Sequence, residues 1–406
     1  MKIMENTANN QNYTPDTPEK VAYQAELFGN RVAKQYKPLR KWARKNRVTC
    51  YRLYDRDIPE VPLALDLYEF LPNEITDKIE AAKFLSDENN AISLNNASSK
   101  SVIDDMSERT WAHLYLYERP YEKPESEEKA WLASMAEKAA EVLGIKEDYV
   151  ITKTRSVQRT ENSNTQYEKI ETDNHVTGTI QEQGQLFKVN LTDYIDTGIF
   201  FDHRPLRSIV RSTCSGKSVL NLFCYTGSFT VYAAEGKAHS VESVDISKTY
   251  LDWAKENLVL NGFDDDAKYT LTRQDAVGFI NQKNAEVPNE AVDSKKPVFL
   301  KNGERLFTNR WDIIILDPPT FSNSKRTDTT LDITRDWVYL VAKCLGLLTK
   351  HGTLYFSTNS RRLSFSEDEL KKNCKIDFTA TDITPQTIPE DYRNAKIHRC
   401  WKLVRI

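Results

Sequence analysis

Hydrophobic and polar positions alternate along this chain in two different rhythms. Up to about residue 190 the apolar runs are short and irregularly spaced. Residues 1–24 are polar, rich in Asn, Thr and Pro, and without periodicity, so they read as a flexible leader. A helix is expected over 25–46, followed by strand-like segments at Cys50–Tyr54 and Leu63–Phe70. Residues 72–109 are rich in Asn, Ser and Asp and read as an insertion or long loop. Trp111–Tyr117 looks like a strand, and Glu127–Leu143 carries a helical apolar spacing that stops at Gly144. Tyr149–Thr154, Thr177–Gln181 and Gln185–Asn190 complete a small mixed α/β domain over 25–190.

From residue 191 to 406 strand-like and helix-like segments alternate. The pairs are Ser218–Phe223 with Thr226–Glu235, Ser240–Val244 with Ser247–Leu260, Tyr269–Arg273 with Ala276–Gln282, Asp312–Leu316 with Thr334–Leu348, and Thr353–Ser357 with Glu367–Lys375. This alternation predicts a parallel, doubly wound α/β sheet. Ile376–Ile383 and Ile397–Val404 offer two further strands, and residues 284–309 read as a surface insertion. No internal repeat is found.

Composition narrows the class. At 406 residues, with 39% hydrophobic and 28% charged residues, the chain can bury two or three domain cores of about 150 residues each. Mean hydropathy is −0.60, and no apolar run reaches the roughly 18 residues of a membrane helix. The N-terminus lacks the apolar centre of a signal peptide. Six cysteines, none in a Cys-x-x-Cys pair, fit a reducing compartment, so a cytoplasmic location without a bound metal is expected.

The net charge of −3 conceals a strong asymmetry. Between Arg31 and Arg47 there are eight basic residues and no acid, and Arg31, Lys34, Lys37, Lys41 and Arg44 fall at helical spacing. A solvated helix face accounts for such a stripe; so does binding to a phosphate backbone. Arg31, Lys37, Lys41 and Arg44 are therefore candidate RNA contacts.

The candidate chemistry lies in the second half. Val219 to Gly227 runs a buried strand into a tight turn and a helix, with a single Gly and thus no dinucleotide fingerprint. Gly227 permits close backbone approach. Asp245, with Ile246 after it, ends the next strand, where a carboxylate can accept two ribose hydroxyls. Asp275-Ala276 ends the third, where an acid can receive an adenine amine. Together these point to S-adenosyl-L-methionine (SAM). The fourth strand ends in Asp317-Pro318-Pro319-Thr320-Phe321, an acceptor, a rigid backbone and an aromatic ring suited to holding a planar base. Cytosine C5 methylation needs a cysteine nucleophile, and none follows the fourth or fifth strand. Guanine N7, which has no proton to remove, and exocyclic amines remain. Lys325, Arg326, Arg361 and Arg362 are placed to hold flanking phosphates.

Three runs carry a family resemblance: Asp193 to Arg204, Asn221-Leu-Phe-Cys-Tyr-Thr-Gly227, and Asp317 to Arg326. With Phe28 to Arg31, Cys50 to Asp55 and Ile397 to Trp401, they resemble the K half of the bifunctional ribosomal RNA large subunit methyltransferase K/L family. The resemblance implies a seven-stranded Rossmann-like class I methyltransferase domain behind a smaller α/β domain that helps grip RNA. It implies guanine-N7 methylation of 23S rRNA, either free or in a large-subunit precursor. It places SAM on Asn221, Phe223, Tyr225, Thr226, Gly227, Asp245, Asp275 and Asp317, with Asp202 and Arg204 closing over the methionine end. The alternatives are a guanine-N2 or adenine-N6 rRNA methyltransferase and a non-catalytic rRNA-binding assembly factor.

Overall fold

The computed structural model describes residues 15–93, 97–117, 119, 121, 123–155, 173–286, 310–322 and 330–406. The chain forms two compact units. One holds the residues up to Gly184 together with Val189–Thr197; the other holds Gln185–Lys188 and Gly198–Ile406.

The first unit opens with helix α1, Pro18–Lys45, which begins inside the stretch expected to be a leader. Local chemistry explains the earlier start. The Thr17 side chain accepts the Lys20 N–H at 3.3 Å, Pro18 fills the first helical position, and Glu19 lies in the first turn. Strands β1, Cys50–Asp55, and β2, Leu63–Glu69, follow.

The expected loop over 72–109 is instead two helices, α2, Lys78–Ser93, and α3, Ala97–Arg109. Asp77 Oδ1 caps the first by accepting the N–H groups of Ile79 and Glu80. Arg109 ties the second down: it pairs with Glu88, donates to the Phe70 carbonyl at 2.6 Å and lies over the Phe84 ring. The pair is anchored mainly by polar contacts, so it left little apolar periodicity to read.

Strand β3, Thr110–Tyr117, helix α4, Glu125–Leu143, and strand β4, Val150–Arg155, complete a four-stranded sheet in the order β1-β2-β3-β4. Its first three strands are antiparallel, and β4 runs parallel to β3. Gly144, at φ +68°, stops α4 where the sequence predicts. Phe28 and Val32 of α1 and Trp131 and Met135 of α4 pack in one core with β1–β3, and Trp131 Nε1 donates to Gln24 at 2.8 Å. Strands β5, Thr177–Glu182, and β6, Gln185–Asn190, follow.

The second unit contains α5, Arg204–Thr213, β7, Ser218–Leu222, α6, Ser228–Glu235, β8, Ser240–Asp245, α7, Lys248–Leu260, β9, Tyr269–Arg273, and α8, Ala276–Glu286. Residues 287–309, most of the expected insertion, lie outside the described residues. Then come β10, Trp311–Leu316, the short β11, Phe321–Ser322, and β12, Leu331–Asp332, and α9, Ile333–Leu347. The chain ends with β13, Leu348–Thr358, α10, Glu367–Asn373, β14, Phe378–Asp382, α11, Thr384–Thr387, and β15, Arg399–Arg405.

Seven strands form one sheet in the order β14-β15-β13-β10-β7-β8-β9. The five strands from β13 to β9 are parallel, and β15 is antiparallel to both its neighbours. The expectation of a parallel sheet thus holds for five strands and not for the tail. A tail strand that returns without a long helical crossover pairs antiparallel. Strand order reverses between β7 and β10, which makes their carboxyl ends the topological switch point of an open α/β sheet. One face is covered by Phe279 and Ile280 of α8 and Trp337, Leu340, Val341, Cys344 and Leu345 of α9, packed on Leu220, Leu222, Ile314 and Leu316.

Candidate active site

Register alone brings four of the sequence-derived motifs to one sheet edge. Leu222 pairs with Val244 on one side and with Leu316 on the other, and Asp245 pairs with Arg273, so the residues after β7, β8, β9 and β10 emerge together. The turn after β7 holds a tight and costly shape. Phe223 and Tyr225 have φ of 57° and 51°, a conformation rare for bulky side chains, and Gly227 has φ of 73°. A Cβ on Gly227 would lie 2.8 Å from the Ala254 Cβ.

Several contacts hold the turn in this shape. The Cys224 N–H donates to Val244 O at 3.0 Å, and Thr226 Oγ1 donates to Gly198 O. Asn257 Nδ2 donates to Thr226 O at 2.9 Å. Asn221 is buried and donates to Thr230 Oγ1, which contacts Ser243. Asn221 therefore supports the turn from below. The Tyr225 ring is set among Phe200, Tyr250 and Trp253 at centroid distances of 5.3, 4.5 and 6.5 Å.

Asp245 closes the turn against β8. Its Oδ2 accepts the Tyr225 N–H at 3.0 Å and its Oδ1 accepts the Ser247 N–H at 2.9 Å. Burial pushes its carboxyl up to about 6, against the lowering effect of the N–H groups of Ser247, Tyr225 and Ile246. Each oxygen has accepted one N–H and retains capacity for a hydroxyl donor. At the end of β9, Asp275 Oδ2 accepts the Gly278 N–H at 2.7 Å and so caps α8, leaving Oδ1 as an acceptor; Ala276 beside it is buried. The Gln274 N–H donates to Asp245 O, which joins the second and third motifs.

Asp317 follows β10 and is held from two sides. Ser357 Oγ donates to its Oδ1 at 2.6 Å, and His203 Nε2 lies 3.3 Å from its Oδ2. Pro318 is buried, whereas Phe321 is 45% exposed. Thr320 donates to Asn359 at 2.6 Å, which ties this loop to the end of β13.

His203 and His398 are the residues that sequence reasoning passed over. Their rings stack at 4.8 Å and are 10° from parallel. His398 Nδ1 is 3.1 Å from Asp202 Oδ2 and its Nε2 is 2.9 Å from Thr387 Oγ1. The signal was present: His203 stands between the two singled-out residues Asp202 and Arg204, and His398 lies in the quoted Ile397 to Trp401 run. Asp202, His203 and His398 are close enough to hold a cation. Near-parallel rings, however, direct their in-plane lone pairs side by side rather than to one point, so the cluster reads as a hydrogen-bonded charge network behind Asp317.

Arg204, expected near the methionine end of the cofactor, is 1% exposed, and its Nη1 pairs with buried Asp391 at 2.7 Å. The cysteines nearest the motifs, Cys224 and Cys400, are buried, and burial pushes both thiols well up, with Asp245 and Asp317 respectively adding to the rise. Neither is an activated nucleophile.

In the first unit Lys37 and Lys41 are exposed, Arg31 pairs with Asp57 at 3.1 Å, and Arg44 is half-buried against the Met106 sulfur at 3.7 Å. Arg361 and Arg362 are exposed, while Lys325 and Arg326 lie outside the described residues.

The family model for S-adenosylmethionine-dependent methyltransferases matches residues 111–287. The chain is 38% identical over 378 residues to ribosomal RNA large subunit methyltransferase K of Neisseria meningitidis serogroup B, covering 93% of this chain and 86% of that protein. It is 35% identical over 387 residues to ribosomal RNA large subunit methyltransferase K/L of Pseudomonas putida, covering 95% of this chain but 43% of that protein. The chain thus spans less than half of the K/L relative. Its fold matches the crystal structure of SMU.776 complexed with SAH, at a TM-score of 0.60 and 18% identity over 94% of this chain and 81% of that one. No helix among the described residues is long and apolar enough to cross a membrane. A sheet of this order, with its strained turn and strand-end acids, and a relative of this similarity over nearly its whole length lead to one assignment: the chain belongs to the ribosomal RNA large subunit methyltransferase K family of SAM-dependent methyltransferases.

Proposed function

We propose that the protein methylates N7 of a guanine in 23S ribosomal RNA. The relatives' names support ribosomal RNA as the substrate class. When bound, SAM supplies an electrophilic methyl group on a sulfonium. The remaining lone pairs of Asp245 would accept the two ribose hydroxyls, and Asp275 Oδ1 would receive the adenine amine. The backbone of the Phe223–Gly227 turn and the side of Asp202 would hold the methionine end. Arg204 acts by fixing the start of α5 through Asp391.

The observation that carries the guanine part of this reading is the setting of Asp317, and N7, on the opposite ring edge, stays free to accept the methyl group. Each Asp317 oxygen already faces one donor, Ser357 or His203, and each keeps room for one more. Two parallel acceptors match the N1–H and N2–H edge of guanine, which fixes the ring while Phe321 stacks on its face. Attack by N7 then needs alignment and no general base. The high thiols of Cys224 and Cys400 favour this over chemistry that requires a cysteine nucleophile. The test is methyl transfer from labelled SAM to an unmodified 23S rRNA transcript, followed by nucleoside analysis. Label in 7-methylguanosine is expected; label in N2-methylguanosine or N6-methyladenosine would replace the N7 reading with an amine one.

A further inference from the structure

The helices that replace the expected loop change what the basic stripe is. In the first unit a groove of about 560 Å³ runs between α1 and α2. Lys37, Arg40, Lys41, Arg44 and Lys45 line one wall together with Tyr36; Asn89 and Ser93 line the other, and among the described residues no carboxylate lines the space. A volume of this size suits a bound ligand, but the lining is cationic rather than apolar.

The contacts of the two arginines show why the charge stays available. Arg40 and Arg44 lean over the Met106 sulfur, each at 3.7 Å. The acid beneath them, Glu69, is buried; burial raises its carboxyl, and Arg40, Arg44 and Arg109 act together to lower it. Glu88 of α2 is turned away from the groove into its pair with Arg109. Among the described residues Arg40 Nε is buried with no hydrogen-bond partner, an uncommon state for a guanidinium donor. Two half-buried guanidiniums near one buried acid, flanked by three lysines, leave a net positive cleft.

Resting on the RNA-methyltransferase reading, we propose that the α1–α2 groove is a two-walled binding site for the phosphodiester backbone of single-stranded RNA. Lysines and guanidiniums supply the charge, and Asn89 and Ser93 add neutral polar contacts from the facing wall. Such contacts position a strand without reading its sequence. A plain basic stripe on α1 would need nothing from α2, and that difference is what can be tested.

The probe is poly(U), which carries phosphodiesters and no guanine. Its affinity is measured by filter binding over a range of salt for the full chain and for Ser93→Glu, Ser93→Lys and Lys37→Ala/Lys41→Ala. Ser93 is exposed, so both charge variants should fold, and an unchanged circular dichroism spectrum and thermal melt check this. Ser93→Glu is expected to weaken poly(U) binding about tenfold, and Ser93→Lys to strengthen it several-fold. The double lysine variant should reduce the slope of log affinity against log salt by about 1.4, at roughly 0.7 per phosphate contact on a single strand. If Ser93→Glu and Ser93→Lys leave affinity unchanged, or shift it in the same direction, the two-walled site is overturned, whatever the methylation assay shows. If the Ser93 pair shifts poly(U) affinity in opposite directions but no ribosomal RNA is methylated, the groove stands and the activity reading falls.

Discussion

The two candidate binding regions hold charge in opposite ways. Around Asp245 the polypeptide half-buries one carboxylate, pushes it up to about 6 and strains the backbone at Phe223 and Tyr225, where the Tyr225 N–H is aimed at it. On α1 it does the reverse: five cations line a groove, and lysines 37, 41 and 45 stay exposed to water. A buried acceptor selects one small ligand by geometry, because an unmatched polar group there is costly. An exposed cationic wall attracts any phosphate chain, and salt screens it. The difference suits a division of labour, in which the second unit selects the methyl donor and the base while the first holds the strand.

Four perturbations can break or sharpen that contrast. The largest effect is expected at Gly227. Gly227→Ala adds a Cβ at φ of 73° and 2.8 Å from Ala254, so strain of about 1–3 kcal/mol should fall on the turn. SAM affinity by calorimetry should drop roughly tenfold to a hundredfold, with RNA affinity unchanged.

Next comes His203, argued to position Asp317. His203→Ala is expected to lower kcat about tenfold with SAM affinity intact. His203→Gln, whose amide can still donate to the Asp317 carboxylate, should recover most of the loss; equal loss in both variants would mean that the imidazole does something else.

The pH dependence of cofactor binding should follow Asp245. Hydroxyl donors favour the ionised carboxylate, so binding SAM lowers a carboxyl that the free protein holds near 6. Affinity should be flat above that value and fall by up to about tenfold per pH unit below it. A flat profile in Asp245→Asn, at lower overall affinity, would assign the titration to this group. The smallest effect is expected for Lys37→Ala alone: a few-fold loss of RNA affinity at low salt, vanishing at high salt.

How legible all this was depended on which force holds each element. The strands and helices from Ser218 to Leu347 bury apolar side chains at strand and helix spacing, as α8 and α9 do on β7 and β10, and their alternation was readable to within a few residues at each end. The placement of Asp245, Asp275 and Asp317 at one sheet edge was readable because each acid closely follows a strand-like run. Helices α2 and α3 were not, because Asp77 and Arg109 anchor them through hydrogen bonds and an ion pair that leave no periodic trace. The earlier start of α1 was written in Thr17-Pro18-Glu19, a capping signal outweighed by the polar residues before it. The contact of His203 with Asp317 joins residues 114 positions apart, which no local pattern encodes.

The most direct test of the division of labour pairs two variants, Asp245→Ala and Lys37→Glu/Lys41→Glu, each titrated with SAM by calorimetry and with an unmodified 23S rRNA fragment by filter binding. A crossed result is expected. Asp245→Ala should lose SAM binding by a hundredfold or more and keep its RNA affinity, while the lysine variant should lose RNA affinity by tenfold or more and keep its SAM affinity. If either variant weakens both ligands equally while remaining folded, the two regions do not act separately and the account is wrong.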